Sequence, residues 1–184
     1  MSGFSALGGL LNSSTVKVSP AQIKTLSQNG VQLLSNPGPG FANIVLYLLA
    51  SLEFGTTLYT EPNETAGTAE AAIFYESSLG PPAAGSILLD DSLGELLTSP
   101  QVPSSSGGGS GGTSRVPGDA LKVLDLGIGL PGTTLIFASQ QIENAALVLG
   151  NRQGQSVNGA ADFLNGDSSL LLTIVFLTVP LYAG

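Results

Sequence analysis

NGDSSLLLTIVFLTVPLYAG, residues 165–184, closes the chain with an apolar run that opens on a turn signal and meets a proline before it ends. A helix that crosses a bilayer needs about 20 apolar residues. Leu170 to Val179 supplies ten, interrupted by Thr173 and Thr178 and followed by Pro180, so the run is too short to be an anchor. Asn165-Gly166-Asp167 fits a tight turn in which positive φ costs little. The residues after it, Ser168 to Val179, have the length and β-branched content of a full core strand.

The same texture recurs upstream. NIVLYLLASLEF (43–54) is a near-continuous apolar run closed by Gly-Thr-Thr. Periodicity alone does not separate a buried strand from a helix there, but the β-branched start and the flanking turn signals favour a strand. VQLL before the rigid NPGPG turn, AAIFYES (71–77), ALKVLDLGIG, TTLIFASQ and NAALVLGN are further strand candidates, each bounded by Gly, Asn, Asp or Pro. SILLDDSLGELL (86–97) reads as a strand followed by a short helical turn near Ser92. In SPAQIKTLSQNG, Ser19 caps, Pro20 takes the first helical position and Gln22 completes a capping box, which predicts a turn or two of helix to about Ser27. The 10–15-residue helical periods that a parallel α/β sheet requires are missing. The expectation is an all-β chain of about eight strands, an antiparallel two-sheet β-sandwich.

Two stretches differ in composition. Residues 1–14 are Gly/Ser-rich with scattered apolar side chains (Phe4, Leu7, Leu10, Leu11), which suits an extended N-terminal arm and leaves residues 15–184 as one domain. SSSGGGSGGTS (104–114) has the composition of a flexible linker, natural or engineered. Leu121 onward repeats the earlier strand-and-turn pattern, so the tract reads as a flexible loop within one domain.

Composition limits the chemistry. Among the 184 residues there is no cysteine and no histidine. That excludes disulfides, thiolate nucleophiles, histidine-based triads and ordinary zinc sites. Thirteen acids against five scattered basic residues (Lys17, Lys24, Arg115, Lys122, Arg152) give a net charge of −8. Nucleic acid and anionic membrane surfaces are therefore not expected partners. The N-terminus lacks the features of a secretory signal, so synthesis in a cytoplasm is expected.

The remaining polar groupings have ordinary explanations. Asp90, Asp91 and Glu95 could hold a hard cation, but they lack the EF-hand ligand series and lie beside a helix start, where acids complement the dipole. Glu53, Glu61, Glu64, Glu70 and Glu76 are not paired by anything in the sequence into the two-carboxylate arrangement of a glycosidase. With no Trp, and Tyr47, Tyr59, Tyr75 and Tyr182 divided between core and turns, a sugar platform is poorly supplied. GLPGTT (129–134) and GSGGTS (109–114) lack the lysine of a phosphate-binding loop. The Asn12 and Asn63 glycosylation patterns have no secretory context. No catalytic residue, metal site or cofactor is expected, and the chain does not read as an enzyme.

PGPGFANIVLYLLASLEFGTTLYT, AAIFYES, IENAALVLGN and FLNGDSSLLLTIVFLTV together resemble a family of tailed-bacteriophage structural proteins. Those proteins share a Ser/Thr-started helical turn, a Pro-Gly turn, a long strand ending in a Phe-Gly-Thr…Tyr corner, and a closing Gly-Asp-Ser strand. The similarity runs from about Thr15 to Val179, and the Gly/Ser tract and the apolar N-terminal stretch depart from it. It implies a jelly-roll-like virion protein, and within that group a capsid cement or head decoration protein. Such a protein would bind the outside of the head shell as a homotrimer, with the major capsid protein as partner. The arm (Phe4, Leu7, Leu10, Leu11) would reach neighbours, and Tyr182 in the PLYAG tail would make a rim contact to an adjacent subunit. The alternative is a trimeric tail or fibre component that binds a host surface.

Overall fold

The computed structural model describes residues 11–60, 70–76, 87–90, 93–99, 102–103, 115–116, 118, 120–125, 142–152 and 162–181. Its strands are β1 (Leu11–Val18), β2 (Val31–Leu34), β3 (Phe41–Glu53), β4 (Tyr59–Thr60), β5 (Glu70–Glu76), β6 (Ile87–Asp90), β7 (Val102–Pro103), β8 (Arg115–Val116), β9 (Ala120–Asp125), β10 (Ala146–Arg152), β11 (Leu164–Asn165) and β12 (Ser169–Pro180). Two short helices, α1 (Pro20–Ile23) and α2 (Leu93–Thr98), complete the described elements. The chain is all-β and antiparallel, as its turn-bounded apolar runs require.

Two four-stranded sheets carry the fold, in the orders β1-β12-β3-β9 and β2-β10-β5-β6. Four of their pairs are nested in sequence: β1 with β12, β2 with β10, β3 with β9, and β5 with β6. This is the pattern of one long hairpin rolled up so that its successive pairs alternate between the sheets. Two seams, β12 with β3 and β10 with β5, close the roll.

The opening segment becomes the second strand of the first sheet. On β12, Leu170, Leu172 and Ile174 are fully buried and lie opposite Leu52, Ala50 and Leu48 of β3, which are equally buried. Each of the leucine and isoleucine side chains contributes about 1.5–3 kcal/mol on leaving water. From the second sheet, Val31, Leu33, Ile73, Leu147 and Leu149 join the same buried cluster, together with Leu93, Leu96 and Leu97 of α2. Between Val175 and Phe176 the register shifts, so that Val175 faces Tyr47 while Phe176 faces Val45. A bulge of this kind bends a strand and increases its twist.

Tyr75 and Asn43 bring polar groups into this interior, where they are hydrogen-bonded. The Tyr75 hydroxyl of β5 donates to the Asn43 carbonyl of β3 at 2.7 Å and accepts from the Val45 N–H at 3.4 Å. Burial pushes the Tyr75 pKa up to about 12, the Val45 bond opposing it. The Asn43 amide donates to the Ser35 carbonyl at 3.0 Å, and its oxygen accepts from Thr178 Oγ1 at 2.8 Å.

The capping box forms as read: Ser19 Oγ accepts from the Gln22 N–H at 3.3 Å, while Gln22 Oε1 accepts from the Ser19 N–H at 3.0 Å. Strand and helical turn follow each other in 86–97, as β6 and α2. The last four residues of the expected arm, Leu11 to Ser14, lie in edge strand β1, paired with Leu177 to Ile174. Residues 104–114 and the strand expected at TTLIFASQ lie outside the described residues.

Candidate functional site

The strands of the first sheet have an inward side that enters the core and an outward side that does not. Register defines the outward rows. Lys17, Leu171, Ser51 and Leu121 form one, Thr15, Thr173, Leu49 and Val123 the next, Ser13, Val175, Tyr47 and Asp125 a third, and Leu11, Leu177 and Ile44 a fourth. At the end beyond Leu171, Ser169 lies opposite Glu53. On this face Leu121 is 64% exposed, Leu11 54% and Tyr47 38%. Leu49, Leu171 and Val175 are partly exposed between them.

Charge is sparse here, and β9 adds Asp125 in the row of Tyr47. Strands β1, β3 and β12 together contain one lysine and one glutamate. Lys17 Nζ and Glu53 Oε2 meet at 2.6 Å across β12, each side chain more than half exposed. An exposed pair of this sort adds at most about 1 kcal/mol of stability. Its electrostatic consequence is larger, since the two charges cancel. Beside them, Thr15 Oγ1 and Thr173 Oγ1 lie 3.2 Å apart across β1 and β12. The face is thus a hydroxyl-dotted, mostly aliphatic surface with Tyr47 near its middle.

A second constellation joins two motifs far apart in sequence, FGTTLYT and NGDSS. Asp167 accepts from the Thr56 N–H at 2.8 Å, the Thr57 N–H at 2.8 Å and Thr56 Oγ1 at 2.6 Å. Those bonds hold its carboxyl below the usual carboxylate range. Ser168 Oγ accepts from the Gly55 N–H at 3.2 Å, and the Tyr59 hydroxyl donates to the Ser168 carbonyl at 2.5 Å. Burial first, and the Asp167 charge second, push the Tyr59 pKa up to about 12. Tyr59 also packs edge-on against Phe163, ring centroids 6.2 Å apart.

Gly166 completes this corner. Its φ is +68°, and a Cβ there would fall 2.1 Å from Tyr59 Cδ1. The Asp167 carboxylate is engaged by backbone and hydroxyl donors, which makes the corner a clasp between the β3–β4 loop and the turn into β12. It anchors one end of this face.

Of the residues expected to make contacts, Leu11 lies on the outward face at the start of β1. Phe4, Leu7, Leu10 and Tyr182 fall outside the described residues, as do GLPGTT, GSGGTS and Asp91. Asp90 ends β6, and Glu95 is exposed in the first turn of α2. Among the described residues no group of three or more acids is placed to hold a metal ion, and no described helix is long and apolar enough to cross a membrane. Tyr59 and Tyr75 are buried, but Tyr47 belongs to neither core nor turn.

The sequence reading missed the outward residues Leu49, Leu171, Val175 and Leu121. The signal was present in SSLLLTIVFLTV, which fails to alternate. A strand with one side in water should show polar residues at every second position. Comparison of the chain with protein-family models, curated proteins and solved structures returns no match.

Proposed function

We propose that the chain is a virion structural protein, a capsid cement protein that binds the outside of a phage head shell as a trimer and reinforces contacts between major capsid subunits. The nested strand pairs support a jelly-roll reading, an architecture used by viral capsid domains among others. Fold does not fix function, so the weight falls on the outward face of the β1-β12-β3-β9 sheet. Solvent-facing sheets of monomeric proteins are mostly polar, and the fully buried centres of protein interfaces are depleted of charge. A sheet with Leu171, Val175, Leu49, Tyr47 and Leu121 on its outer side, and few charges among them (the Lys17–Glu53 pair and Asp125), has the make-up of a surface that a partner covers. The sequence adds that histidine and cysteine chemistry is unavailable to this chain.

The reading is tested on particles. Antibody against the recombinant chain, visualised by gold labelling of purified virions, should decorate the head, and the recombinant chain should rebind heads from which it has been stripped. Labelling confined to the tail would replace the cement role with the tail or fibre role. Absence of the chain from particles would end both.

A further inference from the structure

We infer that Asn165-Gly166 is a site of spontaneous deamidation held in check by the Asp167 clasp, so that opening of this corner becomes a lasting chemical change. The inference goes beyond the assembly role proposed above and does not depend on it. Asn-Gly occurs at 29–30, 158–159 and 165–166. The pair is labile because glycine has no Cβ to shield its N–H or restrict its backbone. At 165–166 the Gly166 nitrogen attacks Asn165 Cγ, the nitrogen's proton leaves with the side-chain amide as ammonia, and a five-membered succinimide ring is left. Water then opens the ring at either carbonyl. One product is aspartate. In the other, isoaspartate, the main chain passes through Cβ and is longer by one methylene.

The fold keeps this pair from reacting. Asn165 has φ +55° and Gly166 φ +68°, two consecutive left-handed residues. Left-handed backbone has ψ near about +47°, whereas the succinimide ring fixes the asparagine ψ far from that value. Ring closure therefore requires the turn to come apart. The turn is pinned on both sides. Before it, Asn165 pairs with Tyr59 of β4, and its Nδ2 donates to Thr60 Oγ1 at 3.0 Å. After it, the Asp167 carboxylate accepts from the Thr56 and Thr57 N–H groups, and the Asp167 N–H donates to the Thr57 carbonyl at 3.3 Å. Between them the Gly166 carbonyl accepts from Lys24 Nζ at 3.4 Å. Asn165 itself is exposed, so water has access to the ring once it forms.

Once the reaction has occurred, the corner does not close as before. Thr60 Oγ1 donates its proton to the Leu164 carbonyl at 3.5 Å, so it meets Asn165 as an acceptor. A carboxylate at 165 replaces the donor with a second acceptor, and the bond is lost. The new charge also stands two residues from Asp167, in a chain whose net charge is already −8. In isoaspartate the added methylene changes the span between the Tyr59 pairing and the Asp167 clasp as well.

The experiment uses the full chain, incubated at mildly alkaline pH and sampled by peptide mass mapping for the amide-to-acid conversion. Asn29-Gly30, at an exposed bend between α1 and β2, is the internal reference; Asn158 lies outside the described residues. In urea the two pairs should convert at similar rates, since only local sequence then matters. In the folded chain Asn165 should convert about tenfold or more slowly than in urea, the reaction waiting on local opening. Asp167→Ala should bring the Asn165 rate toward its urea value and leave Asn29 unchanged. The deamidated fraction of the wild type, separated by its additional negative charge, should melt below the unmodified chain. Equal Asn165 rates in the folded and the urea-unfolded wild type overturn the inference, whatever the variant does. An Asn165 rate that Asp167→Ala leaves unchanged, or a rise shared equally by Asn29, denies the clasp a role of its own and overturns it too. So does a deamidated chain that melts with the unmodified one.

Discussion

Gly166→Ala tests whether the clasp at the β11–β12 turn is rigid. The substitution adds one methyl group, and two separate costs arise. At φ +68° an L-residue is in the left-handed region, which costs about 1–2 kcal/mol. The new Cβ would also lie 2.1 Å from Tyr59 Cδ1 and 2.4 Å from Tyr59 Cε1. The ring has little freedom to retreat. Its hydroxyl is bonded to the Ser168 carbonyl, its edge contacts Phe163, and it is 1% exposed. Overpacking of this kind costs about 1–3 kcal/mol. The total is about 2–5 kcal/mol, partly offset by the reduced freedom of the unfolded chain, about 0.4–1 kcal/mol.

Gly40→Ala supplies the control. Its φ is +79°, and nothing lies within 4 Å of where its Cβ would stand. It therefore carries the backbone cost and the unfolded-state offset without the steric one. The difference between the two variants isolates the Tyr59 contact. For a chain of this size, about 2–4 °C of melting temperature corresponds to each kcal/mol, so Gly166→Ala should melt about 2–12 °C below Gly40→Ala. Chemical denaturation with unchanged slope should give the same order. Equal destabilisation of the two variants would show that Tyr59 moves aside freely and that the clasp is not a fixed point of the fold.

Leu172→Ala, in the core, should cost about 2–5 kcal/mol in urea unfolding, whereas Leu171→Ala, one residue away on the outward face, should leave the isolated chain nearly as stable and weaken its self-association. Tyr59 and Tyr75, with pKa values raised to about 12, keep their protons in the folded chain while the unfolded chain loses them above about pH 10. The unfolded state then binds fewer protons, so stability should fall between pH 10 and 12 by about 1.4 kcal/mol per pH unit for each tyrosine, with phenolate absorbance rising together with loss of the β spectrum. For Asp167 the sign reverses: its lowered pKa contributes stability above the ordinary carboxylate range that is lost as pH falls through the folded value. Asp167→Asn should melt below wild type at neutral pH, and the two curves should converge in acid.

The strands that could be read from sequence are those where local chemistry and burial agree. The Ser19-Pro20-Gln22 box fixes its own geometry, so α1 follows from four residues. For β3 and β12, the β-branched residues and the turn signals at their ends favour a strand over a helix. Pairing was not legible, because partners such as Val18 and Leu170 are 152 positions apart and no local feature selects one apolar strand over another. The clasp was visible only as two separate turns, since Asp167 shows its role only when the Thr56 and Thr57 N–H groups stand opposite it. The outward face was hidden by its own apolarity. In one sequence, a strand covered by its own chain and a strand covered by another copy look alike.

Topology also explains why this sheet, rather than the other, suits assembly. In a rolled hairpin the outermost pair contains the first and last strands, and here that pair is β1 with β12. Leu11 at the start of β1 stands opposite Leu177 near the end of β12, and Leu181 returns to donate its N–H to the Gly40 carbonyl at 2.9 Å. The chain therefore enters and leaves the roll at the same end of the same sheet, next to exposed Leu11 and Phe41. Removing residues 1–10 should therefore weaken self-association while leaving the unfolding midpoint of the monomer in place, because β1 begins at Leu11 and its ladder to β12 remains whole. A truncated chain that associates as tightly as the full one, measured by concentration-dependent light scattering, would show that the strands alone carry the contact.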